Sequence, residues 1–470
     1  MKGFVSKNKN FIICCLVIAA VYLLDSLLFF SQMYLLYNYF DTKTIGAVST
    51  GWAYLAQGVG VGLFVILYKT RSHLSARRMF QVASFIIEVP VIIISILVPS
   101  GLVLMFMVII LNVIVGLHTG FTFTLAAVYV PASRLGICYG MAYAFGALGT
   151  WITSLLSEGL MTSYYIIFID CILIALIVVF MLMYKDAVVS EQNGGSGSSD
   201  APIIKPELSL ETARGRKILI LLCVVIAIMA PISSIGTNNV LYVEYCREIN
   251  LLAQRSFYAV GLIAAGLIFD KNRIIGGVCA VVSLAYPVVL TMIYQESGLV
   301  TLVIGLSYVI LGFFAVYRAA SFMTLASESK KYYMAPLGLG VARVCEAVVV
   351  LMITEIGFDQ LTSVIMVSVL FIPLVILFFL MVKEKYSPFE GSNDVRRELS
   401  AEERRAAFAG QYGLTRREEE ISMLVSEGRS NGEIAELLKL SENTIRFHVS
   451  NILKKTGMKD RNEVSRAYRH

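Results

Sequence analysis

Near the end of the chain, residues 441–455 read SENTIRFHVSNILKK. On a helix, Arg446, Ser450 and Lys454 fall one turn apart on one face, with Asn443, Phe447 and Asn451 beside them. Ile445, Val449, Ile452 and Leu453 then form an apolar stripe on the opposite side. A row of cations and amides backed by such a stripe suits a polyanion: ammonium groups take phosphates, while guanidinium and amide forks take base edges. Charge agrees. Residues 411–440 hold four Lys/Arg against six acids, whereas residues 441–470 hold seven against three. The basic helix is thus the positive end of a segment with an acidic front.

A second set of polar groups stands where it is costly. Asp25, Glu88, Asp170, Arg343 and Glu346 lie inside long apolar runs, where an ionisable side chain belongs by default to a ligand site, a pathway or a gate. The expected pocket comprises Asp25, Asn112, His118, Asn238, Asn239, Arg318, Arg343 and Glu346. Arg343 and Glu346, three apart on one helix, are placed to pair with each other. Arg318, near the end of its run, is placed to snorkel toward the interface. These charges are mixed, so they favour neither an acidic nor a basic small-molecule ligand. The eight cysteines all lie in apolar segments, without a CxxC pair or a Cys/His cluster. No Walker loop, catalytic Ser/His/Asp set or metal-ligand spacing occurs, so the chain is expected to be no enzyme and to need no cofactor or metal.

The elements that must carry these groups follow from composition. The 470 residues are 57% hydrophobic and only 15% charged, far from the balance of a soluble globular protein. About twelve spans are expected, at 11–30, 45–68, 79–98, 101–127, 137–157, 164–184, 218–240, 254–269, 274–294, 299–320, 337–357 and 361–382. The first is too long for a signal-peptide core and is read as a retained helix. With the N-terminus inside, Lys2, Lys7, Lys9, Lys69, Arg71, Arg77 and Arg78 lead a long series of inside cations. The opposite loops hold only Lys43, Arg247 and Arg255, which puts both termini in the cytoplasm of a multi-pass plasma-membrane protein. Residues 189–208, rich in Gly, Ser and Pro, form a flexible linker between two six-span halves, 1–188 and 209–384. Residues 385–410 are a charged cytoplasmic linker that includes a short polar helix.

Residues 411–470 divide into four short helices by their caps. Thr415 with Glu418, Ser430 with Glu433 and Asp460 with Glu463 each place an N-cap three residues before an acid. Ser441 caps the remaining helix, and Gly428 and Gly457 close two of them. Thr415, Glu418, Gly428 and Gly457 are assigned to folding, and His448 to a structural place. The fold class expected is all-α: a polytopic bundle of six plus six helices followed by a small four-helix unit.

Two resemblances follow. The six-plus-six pattern with a long central loop, and GLIFDKNR at 266–273, resemble the major facilitator superfamily and its Gly-x-x-x-Asp-Arg/Lys loop. The loop at the corresponding place in the first half, YKTRSHLSARR, keeps the charge without that Gly or Asp. In that fold, spans one, four, seven and ten line a central cavity. Residues 414–458, together with KDRNEV, resemble the LuxR/FixJ-type helix-turn-helix domain, including Leu414-Thr415, Arg417-Glu418, Glu433-Ile434-Ala435 and Thr444 with His448-Val449. That resemblance implies that the 442–455 helix enters the major groove of double-stranded DNA, with Arg446, Phe447 and Ser450 toward base edges. It implies phosphate contacts from Thr444, Asn451, Lys454 and Lys455, and from Ser430 and Asn431 on the preceding helix. Residues 461–468 would pair two copies on a two-half-site operator, as a homodimer. The function expected is a membrane-anchored, ligand-sensing bacterial transcription regulator; a secondary transporter with a regulatory tail is the alternative.

Overall fold

The computed structural model describes residues 2–70, 78–156, 164–183, 212–238, 251–286, 300–357, 360–386, 412–458 and 460–469. Every regular element among them is helical. The chain separates into two compact units, Met1–Lys385 and Tyr386–His470.

The first unit contains α1 (Lys2–Leu36), α2 (Thr42–Thr70), α3 (Arg78–Leu97), α4 (Gly101–Tyr129), α5 (Leu135–Leu156) and α6 (Tyr164–Met183). It continues with α7 (Ala213–Asn238), α8 (Leu251–Lys271), α9 (Arg273–Ser283), α10 (Val300–Ser329), α11 (Leu337–Ile356) and α12 (Gln360–Tyr386). Among the described residues, ten of these are long and apolar enough to cross a bilayer. The two that differ from expectation are α8 and α9. Arg255 near one end and Asp270 and Lys271 at the other shorten the apolar part of α8. α9 is described only over 11 residues, and most of the remainder of the 274–294 span lies outside the described residues. The linkers 189–208 and 387–410 also lie outside them.

Lipid rather than water explains the outer surface. Ile66, Leu102, Phe168 and Phe379 are each about 60% exposed or more, an apolar surface that suits acyl chains. Without a hydrophobic drive between helices in lipid, close approach depends on small residues. Gly60 on α2 and Gly116 on α4 show this: a Cβ on either would collide with a carbonyl of the other helix. The two halves meet through α5 against α8 and α2 against α11. Gly140 lets α5 approach α8, since a Cβ there would strike the Leu262 carbonyl.

At one end of this seam Asp270 latches the halves. Its carboxylate accepts the backbone N–H groups of Gly136 and Ile137, each at 2.8 Å, at the start of α5. These are orphan donors of a helix N-terminus, which a carboxylate satisfies while opposing the positive end of the helix dipole. Arg273 pairs with Glu328 and donates to the Ala132 carbonyl at 3.3 Å. The Asp of GLIFDKNR therefore binds across the halves.

The second unit contains α13 (Arg416–Ser426), α14 (Asn431–Leu438), α15 (Glu442–Thr456) and α16 (Arg461–Arg469). Ile421, Val425, Ile434, Ala435, Ile445, Ile452 and Val464 form its buried centre. Full capping boxes stand at Thr415/Glu418 and Ser430/Glu433. Asp460 caps α16 through the N–H groups of Asn462 and Glu463, and Ser441 caps α15 through Thr444. Gly428 and Gly457 take left-handed φ of 84° and 70°. Lys439 also takes one, 52°, in the turn between α14 and α15, where Arg417 donates to the Leu438 carbonyl at 3.1 Å.

Candidate functional site

Two regions present unusual chemistry. The first is a cavity of about 200 Å³ inside the bundle, walled by α1, α2, α4, α5, α7, α8, α10 and α11. Helices α1, α4, α7 and α10 contribute as expected, and α2, α5, α8 and α11 join them.

Of the expected pocket residues, Asp25, Asn112, Arg318, Arg343 and Glu346 line this cavity. Arg318 does not snorkel. It is 5% exposed, and its Nη1 donates to Glu346 at 2.6 Å. Arg343 donates from Nη1 to the other Glu346 oxygen at 2.9 Å, completing a buried trio across α10 and α11. Taking such groups out of water costs several kcal/mol per ion, about as much as their attraction returns, so stability alone gives little reason to keep them. Arg343 also lies over the Tyr54 ring, 3.8 Å from its centroid.

His118 stands apart from the cavity. Its Nε2 lies 2.9 Å from Ser84 Oγ, its ring stacks on Phe85 at 3.6 Å, and its Nδ1 is 3.7 Å from the buried Glu88. Asp170 is buried as well, with neither carboxylate oxygen hydrogen-bonded among the described residues. Asn238 ends α7 without a described side chain, and Asn239 lies outside the described residues.

Six tyrosines line the cavity: Tyr22, Tyr54, Tyr139, Tyr143, Tyr258 and Tyr308. Tyr22 stacks on Tyr143 at 4.9 Å, Tyr143 meets Tyr258 edge-on at 5.1 Å, and Tyr258 meets Tyr308 at 6.0 Å. Asn112 accepts from Gln57 at 2.7 Å and donates to Gln32 at 3.2 Å. The sequence reading passed over these tyrosines and both glutamines. The available signal was position: interfacial tyrosines belong at span ends, whereas Tyr22 and Tyr54 lie well inside α1 and α2.

The second region is the outer face of α15. Asn443, Arg446, Phe447, Ser450 and Lys454 are exposed on it, while Thr444 and Asn451 are half-buried. Phe447 is 64% exposed, a large apolar side chain that the unit leaves uncovered. Arg446 is held by Glu442, one turn back, at 2.7 Å. Lys455 points elsewhere, donating to Glu418 at 2.7 Å and to the Gly413 carbonyl at 3.3 Å, and so ties α15 to the first turn of α13. Burial pushes the Glu418 carboxyl up, but the bonds from Lys455 and Thr415 outweigh it and hold it below the usual range. Ser430 is occupied as a cap, and Asn431 accepts from Arg461 at 3.5 Å.

Comparisons with known proteins divide along the same line. Residues 413–467 match the family described as bacterial regulatory proteins, luxR family. This segment is 44% identical over 54 residues to an uncharacterised transcriptional regulatory protein, YhcZ, of Bacillus subtilis, covering 12% of this chain and 25% of that one. It is 50% identical over 50 residues to the transcriptional regulatory protein DegU of Brevibacillus brevis, covering 11% and 21%. The chain thus spans about a quarter of the length of the curated relatives it matches. The bundle has the facilitator fold. It superposes on the Escherichia coli fucose:proton symporter FucP with TM-score 0.52 and 13% identity, covering 80% of this chain and 99% of that one. The E. coli xylose transporter XylE gives 0.54 and 14%, covering 82% and 98%. The C-terminal unit is therefore a LuxR-type helix-turn-helix domain carried on a multi-pass, facilitator-like helical bundle.

Proposed function

We propose that the protein is a ligand-sensing transcription regulator of the bacterial plasma membrane, and that its facilitator-fold bundle controls DNA binding by its tail. The observation that carries this is the union, in one chain, of a polar cavity built around a buried Arg318–Glu346–Arg343 trio and a recognition helix left bare at Arg446, Phe447 and Lys454. Both termini lie in the cytoplasm in this reading, which brings the tail to the chromosome. The α15 helix enters the major groove. Arg446 exchanges Glu442 for a base edge, Phe447 meets a thymine methyl, and Lys454 takes a phosphate. Two copies pair through α16 on an operator of two half-sites. A ligand in the cavity changes occupancy only through different affinities for two packings of the halves, and the seam of α2 with α11 and α5 with α8 is where those packings differ.

The test is chromatin immunoprecipitation of the full-length, membrane-resident protein beside Arg446→Ala. Discrete peaks lost in the variant support the proposal; their absence under every growth condition counts against it. The Asp270 latch favours a second reading, transport, because it joins the halves at one end of the seam. Gradient-driven solute accumulation in vesicles, lost in Asp25→Asn, would support that reading.

A further inference from the structure

We propose that the cavity takes a small aromatic carboxylate, held by the free Nη2 groups of Arg318 and Arg343 with its ring among the tyrosines. This rests on the sensing reading above and adds the ligand's chemistry to it.

The arginines are the starting point. Each spends only Nη1 on Glu346, and each leaves a buried Nε without a hydrogen-bond partner among the described residues. Neither guanidinium makes a further hydrogen bond there. The Nε atoms are closed off by the surrounding protein, whereas the Nη2 groups of these two cavity-lining arginines carry N–H donors that no protein group uses among the described residues and that suit a carboxylate. Two donor groups are therefore unfilled, beside one glutamate already shared by two cations. Buried donors without partners are costly, and a ligand that supplies the missing acceptors recovers that cost on binding. Arg343 lies over Tyr54, 3.8 Å from the ring centroid, and Arg318 sits 5.1 Å from the Phe314 centroid, so each guanidinium also has an aromatic neighbour that holds it in place.

The rest of the cavity describes the remainder of the ligand. The chain of Tyr22, Tyr143, Tyr258 and Tyr308 gives a ring both stacked and edge-on neighbours, the geometries that aromatic pairs prefer. A volume of about 200 Å³ lies below the roughly 300–1,000 Å³ of sites for drug-sized molecules, which limits the ligand to about one ring. Asp25 also lines the cavity and bonds to neither guanidinium. It is left to accept a proton donor on the ligand, either a hydroxyl or an ammonium group.

The experiment measures binding to the full-length protein in detergent, by thermal shift and calorimetry, without DNA. Probes are benzoate, phenylacetate, 3-phenylpropionate and their 4-hydroxy forms, each against its primary amide, with cyclohexanecarboxylate, tyrosine and xylose alongside. At least one aryl acid is expected to bind tenfold or more tightly than its amide and than the saturated-ring acid. Arg318→Lys and Arg343→Lys, which keep charge but lose the fork, are each expected to weaken it at least tenfold. The comparison of acid with amide needs no variant, so misfolding of a variant leaves the test intact. Preference for tyrosine over 3-(4-hydroxyphenyl)propionate would assign an ammonium to Asp25; the reverse would assign a hydroxyl. Equal binding of acid and amide, tighter binding of xylose, or no response to any aryl acid would overturn the proposal. The regulator reading fails separately: an acid-selective cavity whose ligand never changes promoter occupancy would sink it and leave the ligand class standing.

Discussion

Arg343 in the bundle and Arg446 in the tail make nearly the same contact, a salt bridge to a glutamate on their own helix. Arg343 meets Glu346 three residues on at 2.9 Å, and Arg446 meets Glu442 four residues back at 2.7 Å. Their surroundings differ completely. The bundle pair is 14% and 6% exposed, the tail pair 65% and 49%. An exposed helix pair contributes about 0.3–0.5 kcal/mol and is screened by salt, so Arg446 can leave Glu442 at little cost, as the proposed base contact requires. A buried pair cannot release its cation without leaving a bare charge in hydrocarbon. Identical chemistry thus gives a mobile hand in one place and a fixed clamp in the other.

The largest effect that would sharpen this contrast is expected in the bundle. Glu346→Gln removes the shared acceptor from two buried guanidiniums and should destabilise the bundle by about 3–5 kcal/mol, read as lower yield and melting temperature in detergent. A mild effect there would mean that water reaches the trio. Next comes Arg446→Ala, which should weaken operator binding by about 1–3 kcal/mol and relax specificity at one base position, read by titration of operator variants. Glu418→Gln should cost the separate unit 386–470 about 1–2 kcal/mol by weakening the cap and the tie to Lys455.

Acid acts on the same contact. Because the Glu418 carboxyl is held below its usual range, its contribution is full above the unfolded value of about 4.3 and is lost as pH falls through the folded one. Urea melts of the wild-type unit should therefore weaken below about pH 4.3 more steeply than those of Glu418→Gln. Lys454→Ala should weaken all DNA sequences alike and lower the salt slope by about one. The smallest effect belongs to Glu442→Gln: no more than about 0.5 kcal/mol of stability, with DNA binding unchanged or slightly tighter. A large loss of binding in that variant would break the comparison, since it would make Glu442 more than a resting partner.

How much could be read beforehand follows the same division. In the tail the signals are local. Caps three residues apart, glycines at left-handed positions and a polar row at four-residue spacing (Arg446, Ser450, Lys454) each refer to one helix, so a linear reading reaches them. Lys455 is the exception, because its partner Glu418 is 37 residues away. In the bundle, apolar runs announce spans but carry no record of which helices face each other. Arg318 looked like a snorkelling residue because its partner, Glu346, belongs to another helix. His118 looked like a cavity residue because it shares α4 with Asn112, yet it turns toward Ser84 and Glu88 on α3. The tyrosine lining comes from α1, α2, α5, α8 and α10, and only packing assembles it.

The central claim is that the bundle governs the tail. Its most direct measurement is operator occupancy by the full-length protein in intact cells, with wild type, Arg343→Lys and Arg446→Ala compared at equal membrane levels. The account predicts that Arg446→Ala abolishes occupancy and that Arg343→Lys, 103 positions before it, changes how occupancy responds to growth condition while leaving the DNA-binding unit untouched. Identical occupancy of wild type and Arg343→Lys under every condition would contradict it and reduce the bundle to an anchor.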